Sequence, residues 1–271
     1  MLLGQTMDPD GPAEATAEQA LYAFIGWAEG SGLRLYRHQE DALVALAAGQ
    51  HVILGTPTGS GKSLAAAGAL ALAAAQGGRG VYTAPIKALV SEKFFDLIGI
   101  FGAERVGLMT GDATVNPDAP IICCTAEILA NQSLRLGAAT PYATVVMDEF
   151  HFYSDPQRGW AWQVPLLTMP RAQFLLMSAT LGDVSFFVRD LERRTGRPVA
   201  AITDAPRPVP LEFRYEVLPL PQLITGLVKG GLTPAYVVQF TQREVVELGG
   251  LLAALPLADK AGQAALRLAL A

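Results

Sequence analysis

Between residues 51 and 203, the chain alternates short, continuous apolar runs with segments of helical length. Runs such as ATVVMDE and QFLLMSAT lack the polar alternation of a half-exposed strand, so they predict strands buried on both faces. Strands that alternate with helices are typical of βαβ units. We therefore predict an α/β fold with a doubly wound parallel sheet. The predicted strands are residues 51–56, 80–85, 106–110, 120–125, 143–149, 173–180 and 199–203.

A proline-dense stretch, DAPRPVP at residues 204–210, interrupts this alternation. Proline lacks an amide hydrogen and fits neither a helix interior nor a central strand. The stretch predicts a linker over residues 205–210, after a loosely ordered leader over residues 1–20 and an α/β domain over residues 21–204. Beyond it, strand-like runs at 211–218 and 235–240 alternate with helix-like runs at 220–229 and 242–255. Since a domain of this kind needs on the order of 100–150 residues, we expect residues 211–271 to be the truncated start of a second one.

The composition narrows the classes of protein that fit this fold. Hydrophobic residues make up 51% of the chain and charged residues 17%, as in a globular protein with a substantial core. No export signal or membrane-spanning run is visible, which predicts a cytoplasmic protein without a membrane partner. Cys123 and Cys124 are adjacent and predict buried strand residues rather than a disulfide or metal site. A net charge of −5 predicts weak nucleic-acid binding by this chain alone.

The first candidate site is TPTGSGKS at residues 56–63, directly after a predicted strand and before a helix. Binding a triphosphate requires a loop with few side chains, so that backbone N–H groups and the helix N-terminus face the phosphate oxygens. The pattern predicts an ATP site in which Lys62 reaches the β and γ phosphates and Ser63 holds Mg²⁺. The strict pattern has glycine at the position of Thr56. The predicted nucleotide-binding residues in this loop are Thr58, Gly59, Ser60, Gly61, Lys62 and Ser63.

Two further groups of polar residues lie at the carboxyl ends of predicted strands. Asp148 and Glu149 end the run TVVMDE, where a parallel strand faces the ligand crevice. Asp148 is expected to hold Mg²⁺ through water, and Glu149 to orient and deprotonate the attacking water. Ser178 and Thr180 end the next strand, where their hydroxyl groups could bond the acidic loop and report the nucleotide state.

The phosphate loop, DEFH (148–151) and SAT (178–180), in this order, resemble the motifs of superfamily 2 helicases of the DExH-box type. The resemblance implies a RecA-like P-loop NTPase domain followed by the start of a second one. It places Gln39, in LYRHQEDAL, as the residue that reads adenine, and His151 as a residue that couples the nucleotide site to the nucleic acid. TAPIKALVSEK, MTGDATVNPDA, TAEIL and DEFHFYSDPQRGWAW resemble the versions found in Ski-type RNA helicases, which feed RNA to exonucleases.

The resemblance also implies a groove for the nucleic-acid backbone. By position in the motifs, its residues are Pro85, Lys87, Gly111, Thr125 and Glu127. Lys87 and the backbone N–H groups suit phosphate contacts. Glu127 cannot attract phosphate, so we expect it to cap the following helix or to bond a ribose hydroxyl.

These patterns predict an ATP-dependent RNA helicase that acts on single-stranded RNA, in association with an RNA-degrading complex. A DNA helicase of the same superfamily is the alternative, because contacts to the phosphate backbone do not read the sugar. A truncated, inactive interaction module is a second alternative. The family's later Gln-x-x-Gly-Arg-x-Gly-Arg segment is absent from the sequence. We therefore expect the chain alone to bind ATP weakly and to hydrolyse it slowly or not at all.

Overall fold

The computed structural model describes residues 16–207, 209–255, 257–258 and 262. The chain divides into two units, Met1–Pro210 and Leu211–Ala271. The first unit contains an eight-stranded sheet whose strand order is β4-β3-β5-β2-β6-β7-β1-β8. The strands are β1 His51–Leu54, β2 Arg79–Ala84, β3 Val106–Met109, β4 Thr114–Val115, β5 Ile121–Thr125, β6 Tyr142–Met147, β7 Gln173–Met177 and β8 Val199–Ile202.

Among the described residues of the first unit, seven α-helices connect and cover these strands. They are α1 Ala17–Gly30, α2 Arg37–Ala47, α3 Lys62–Ala75, α4 Lys87–Phe101, α5 Ala126–Leu136, α6 Trp160–Thr168 and α7 Ser185–Thr195. All neighbouring strands are parallel except β3 and β4, which pair antiparallel. The predicted α/β fold with a parallel sheet is therefore confirmed.

The sheet separates two hydrophobic cores. Successive residues of a strand point to opposite faces, and Val52 and Leu54 accordingly lie in one core while Ile53 lies in the other. The first core contains buried residues of α1 to α4, among them Phe24. The second contains buried residues of α5 to α7, among them Trp162. Helices on both faces explain why the strands are apolar without alternation, and they make the sheet doubly wound.

Several predicted boundaries are wrong, mostly by a few residues. Of the predicted leader, residues 1–15 lie outside the described residues, while residues 17–20 form the first turn of α1. Thr16 and Gln19 form a reciprocal capping box that starts this helix. The strands predicted to end at Glu149 and at Thr180 stop at Met147 and Met177. Glu149 has a φ of 50°, which lies outside the β region that regular strands occupy. The short strand β4 was not predicted.

The second unit contains helices α8 (Leu220–Lys229) and α9 (Gln242–Ala253), close to the predicted ones. The strands predicted at residues 211–218 and 235–240 are wrong, because the structure gives neither segment strand pairing. Phe213, Tyr215 and Tyr236 there are 88%, 92% and 94% exposed. A strand requires a neighbour to accept its backbone hydrogen bonds, and the described part of this unit offers none.

In the part of the chain that the structure describes, no helix has the length and apolar character needed to cross a membrane.

Candidate nucleotide site and neighbouring loops

Apart from Gln39, which lies in α2, the predicted site residues follow the carboxyl ends of strands that run parallel, so their loops lie along one edge of the sheet. The strand order divides these loops into two sets. The adjacent strands β6, β7 and β1 lead into Asp148, Ser178 and the phosphate loop. The adjacent strands β3, β5 and β2 lead into the loops of Gly111, Thr125 and Pro85. The topology thus places the nucleotide-site candidates beside the nucleic-acid candidates.

The phosphate loop depends on two glycines with positive φ angles. Gly59 has a φ of 83° and Gly61 a φ of 77°, values that side-chain-bearing residues rarely adopt. A Cβ atom on Gly61 would also lie 2.3 Å from the Gln39 amide nitrogen. Thr56, which replaces the usual glycine, is buried, and its hydroxyl oxygen lies 2.7 Å from that of Ser60. The departure from the strict motif therefore forms an internal hydrogen bond of the loop.

Lys62 is the first residue of α3, directly after the loop. Its ammonium group donates to the carbonyl oxygens of Thr56 and Pro57, at 2.8 and 3.1 Å. Burial lowers the pKa of Lys62, while the nearby carboxylates of Asp148 and Glu149 raise it. The lysine is thus held against the loop, within the electrostatic influence of the acidic pair.

Two side chains of helix α2 contact backbone carbonyl groups of the phosphate loop. The amide nitrogen of Gln39 donates to the carbonyl of Gly61 at 2.7 Å, and its side-chain oxygen accepts from the Tyr36 N–H at 2.7 Å. His38 Nε2 lies 2.8 Å from the Ser60 carbonyl oxygen. Gln39, predicted to read adenine, therefore also fixes the loop backbone. The motifs assigned no role to His38; its position one residue before Gln39 was the only signal.

A tyrosine outside the recognised motifs, Tyr82, holds the first residue of the acidic pair. The Tyr82 hydroxyl donates to one carboxylate oxygen of Asp148, and the Glu149 N–H donates to the other at 2.9 Å. Trp162 Nε1 donates to the Asp148 carbonyl at 3.3 Å. Burial, followed by the charge of Asp148, raises the pKa of Tyr82, which keeps the phenol protonated as a donor. These bonds fix the orientation of the Asp148 carboxylate.

The three predicted coupling residues lie together. His151 Nδ1 is 3.1 Å from the Ser178 hydroxyl and 3.2 Å from a carboxylate oxygen of Glu149. The Thr180 N–H donates to the Ser178 hydroxyl at 3.2 Å. The SAT segment is therefore connected to Glu149 through one imidazole ring.

Ser63 and Asp148, the predicted Mg²⁺ ligands, offer a hydroxyl and a carboxylate oxygen. Mg²⁺ prefers oxygen ligands and is usually held by one or two protein groups together with phosphate and water. Among the described residues, no cluster of three or more His, Cys, Asp or Glu could hold a metal by itself. The Ser63 hydroxyl also accepts a hydrogen bond from Lys93 at 3.1 Å. This sparse oxygen donor set fits Mg²⁺ that is bound together with a nucleotide.

Among the nucleic-acid candidates, Lys87 and the Gly111 loop are joined by an ion pair. The Lys87 ammonium lies 3.0 Å from a carboxylate oxygen of Asp112, which also accepts from the Thr110 hydroxyl at 2.9 Å. The bonds from Lys87 and Thr110 lower the pKa of Asp112. Gly111 is exposed, and a Cβ there would meet nothing within 4 Å. Lys87 is thus on the surface but paired.

Thr125 and Glu127 lie at the start of α5. Thr125 is the N-cap residue, but its side chain makes no capping hydrogen bond. The carboxylate of Glu127, which was expected to cap this helix or to bond a ribose hydroxyl, is paired with Arg158 at 2.5 Å. The Arg158 guanidinium also donates to the carbonyl of Pro85. Arg158 was missed, since its partners are 31 and 73 residues away in sequence.

The fold and the phosphate loop define a nucleotide-binding α/β domain. The profile of the DEAD/DEAH box helicase family matches residues 36–186, so the chain belongs to the DEAD/DEAH box helicase family.

The chain is 38% identical over 175 residues to the probable helicase HelY of Mycobacterium leprae, covering 64% of this chain and 19% of that protein. It is 34% identical over 189 residues to the antiviral helicase SKI2 of Saccharomyces cerevisiae, covering 67% and 15%. The chain therefore spans less than a fifth of the length of either relative. The similarity to SKI2 confirms the resemblance to Ski-type helicases.

Solved structures support the fold. The DExH-box NTPase HrpB of E. coli superposes with a TM-score of 0.55 at 19% identity, covering 90% of this chain and 29% of that one. The helicase Lhr of Mycobacterium smegmatis superposes with a TM-score of 0.53 at 22% identity, covering 78% and 32%.

Proposed function

We propose that this chain is the part of an ATP-dependent RNA helicase that binds ATP·Mg²⁺ and one face of single-stranded RNA. The observation that carries the proposal is the placement of the phosphate loop and the Asp148–Glu149 pair at one edge of the sheet, with His151 linking Glu149 to Ser178. In this arrangement, a change at the nucleotide can be passed to the neighbouring loops. Residues 21–204 form the ATP-binding domain of this proposal, and residues 211–271 begin a second domain after the linker at 205–210.

At the nucleotide, the backbone N–H groups of residues 58–63 and the N-terminus of α3 hold the phosphates, and Gln39 recognises the base. Lys62 exchanges its bonds to the Thr56 and Pro57 carbonyls for phosphate oxygens. Ser63, and Asp148 through water, would hold Mg²⁺, which would neutralise charge on the phosphates. Glu149 accepts the proton of the attacking water. The hydroxyls of Ser178 and Thr180, with His151, connect this site to the RNA side.

On the RNA side, Lys87 and the N–H groups near Gly111 and at the start of α5 contact the phosphate backbone. Pro85, Thr125 and Glu127 shape the loops that present these donors. RNA is favoured over DNA because the relatives include the DExH-box ATP-dependent RNA helicase DExH11 of Arabidopsis thaliana and the ATP-dependent RNA helicase mtr4 of Schizosaccharomyces pombe. The resemblance to Ski-type RNA helicases, which feed RNA to exonucleases, makes an RNA-degrading complex the proposed partner.

Binding of single-stranded RNA and DNA of one sequence, each with and without an ATP analogue and Mg²⁺, tests the proposal. We expect RNA to bind more tightly, because a site for RNA contacts the 2′-hydroxyl. Equal or tighter binding of DNA would favour the DNA helicase instead. Binding of the nucleotide without binding of either nucleic acid would favour an inactive interaction module.

A further inference from the structure

Arg158 connects three segments that are distant in sequence. Its guanidinium donates to one carboxylate oxygen of Glu127 through Nε at 2.9 Å and through Nη2 at 2.5 Å. Nη2 also donates to the backbone carbonyl of Pro85. The guanidinium carbon lies 5.9 Å from the centre of the Phe152 ring. One side chain therefore joins the loop after β2, the start of α5 and the segment after the acidic pair.

The segment that carries Arg158 is itself held in place. The Asp155 carboxylate accepts from the backbone N–H groups of Gln157 and Arg158, at 2.8 and 2.7 Å. A Cβ on Gly159 would lie 2.4 Å from the Tyr153 carbonyl oxygen, so the turn requires glycine at this position. Because this turn follows Glu149 by only a few residues, the guanidinium is anchored to the segment that begins with the catalytic candidates.

The pair also determines the charge at the start of α5. The N-terminus of a helix attracts phosphate, but Glu127 places a carboxylate in the first turn of this helix. Unpaired, that carboxylate would repel an RNA backbone. The side chains of Arg158 and Glu127 are 36% and 30% exposed, so solvent screens their attraction less than that of a fully exposed pair.

We propose that Arg158 is a positioning residue that holds the Pro85 loop and the N-terminus of α5 in the arrangement that receives the RNA backbone, and that neutralises Glu127 there. The inference rests on the proposed function, because it assumes that these loops bind RNA. Arginine suits the task, since its planar fork can bond a carboxylate and a carbonyl together. A lysine at this position would keep the charge but lose this geometry.

The test compares Arg158→Gln with Arg193→Gln, a matched control whose ion pair with Asp190 lies on α7. In Arg158→Gln we expect the Kd for single-stranded RNA to rise about tenfold, while Arg193→Gln stays near wild type. The Kd for an ATP analogue should stay within about twofold in both variants, which a general loss of structure would not allow. Arg158→Lys should give an intermediate RNA affinity.

The double variant Glu127→Gln/Arg158→Gln separates neutralisation from general disruption. In Arg158→Gln the Glu127 carboxylate has lost its partner, and the double variant removes that carboxylate as well. We therefore expect the double variant to recover part of the RNA affinity lost in Arg158→Gln. A double variant no better than Arg158→Gln would overturn the proposed neutralisation. RNA affinity of Arg158→Gln equal to wild type would overturn the positioning role.

Hydrogen exchange without RNA makes the inference independent of the proposed function. We expect Arg158→Gln to speed the exchange of backbone amides in residues 86–90 and 126–130, with no change in β1 or α3. If the wild-type chain binds no RNA but this exchange pattern appears, the proposed function fails while Arg158 still positions the two loops. Unchanged exchange in both segments would show that Arg158 does not hold them.

Discussion

The phosphate loop and the proposed RNA-binding loops share one edge of the sheet but differ in construction. The phosphate loop is eight consecutive residues with fixing bonds inside the loop, such as Thr56 to Ser60 and Lys62 to Thr56, and further bonds from His38 and Gln39 of α2. The proposed RNA-binding loops come from three separate segments. They are joined across the surface by the pairs of Lys87 with Asp112 and of Arg158 with Glu127. A site within one segment is specified by local spacing, whereas a site assembled from several segments depends on the whole fold.

The largest expected effect concerns the chemistry beside the phosphate loop. In Glu149→Gln the side chain keeps its shape but loses the general base, so we expect the slow single-turnover ATP hydrolysis of the wild-type chain, followed with RNA present, to fall about 10²–10⁴-fold. The Kd for ATP should stay near that of wild type. Glu29→Gln, at the end of α1, serves as the control. A fall of less than about threefold would remove Glu149 from the role of general base.

A smaller effect is expected when the backbone of the phosphate loop is altered. Gly61→Ala places a side chain at a φ of 77° and against the Gln39 amide. We expect about 1–2 kcal/mol of destabilisation, and a Kd for ATP raised about tenfold because the loop N–H groups shift. Gly26→Ala is the matched control, since a Cβ there meets nothing within 4 Å and alanine favours a helix. Thermal unfolding measures the stability of each variant, and nucleotide titration measures its Kd for ATP. Equal stability and equal Kd in Gly61→Ala and Gly26→Ala would contradict a requirement for glycine at position 61 of the loop.

The smallest effect is expected on the RNA side. The Lys87 side chain is 57% exposed, and its ammonium group is already paired with the carboxylate of Asp112. We therefore expect Lys87→Gln to weaken RNA binding only a few-fold. The logarithm of the RNA association constant falls linearly with the logarithm of the salt concentration. Loss of one phosphate contact should make this negative slope shallower by about 0.7, the value per contact for single strands. RNA titrations at several salt concentrations, with Lys229→Gln as control, check this. A slope unchanged from wild type would place the phosphate contact elsewhere.

The contrast also explains which features could be predicted from the sequence. The phosphate loop and the acidic pair were predictable because their chemistry lies in a few consecutive residues after an apolar strand. Tyr82 and Arg158 were not, since Asp148 lies 66 residues from Tyr82, and Pro85 lies 73 residues from Arg158. For Glu127 the expectation was a helix cap or a bond to a ribose hydroxyl, because the sequence does not reveal its arginine partner. In the second unit, residues 211–218 and 235–240 have strand-like composition, but the described part of that unit provides no neighbouring strand.

The nucleotide site itself is tested most directly by titrating ATP·Mg²⁺ into the wild-type chain and into Lys62→Ala. Lys229→Ala, in α8, is the control for the loss of one positive charge. Because a charged hydrogen-bond donor to the phosphates is removed from a partly buried position, we expect binding about a hundredfold weaker in Lys62→Ala and unchanged in the control. ATP binding by Lys62→Ala with the affinity of wild type would contradict the assignment of this loop as the ATP site.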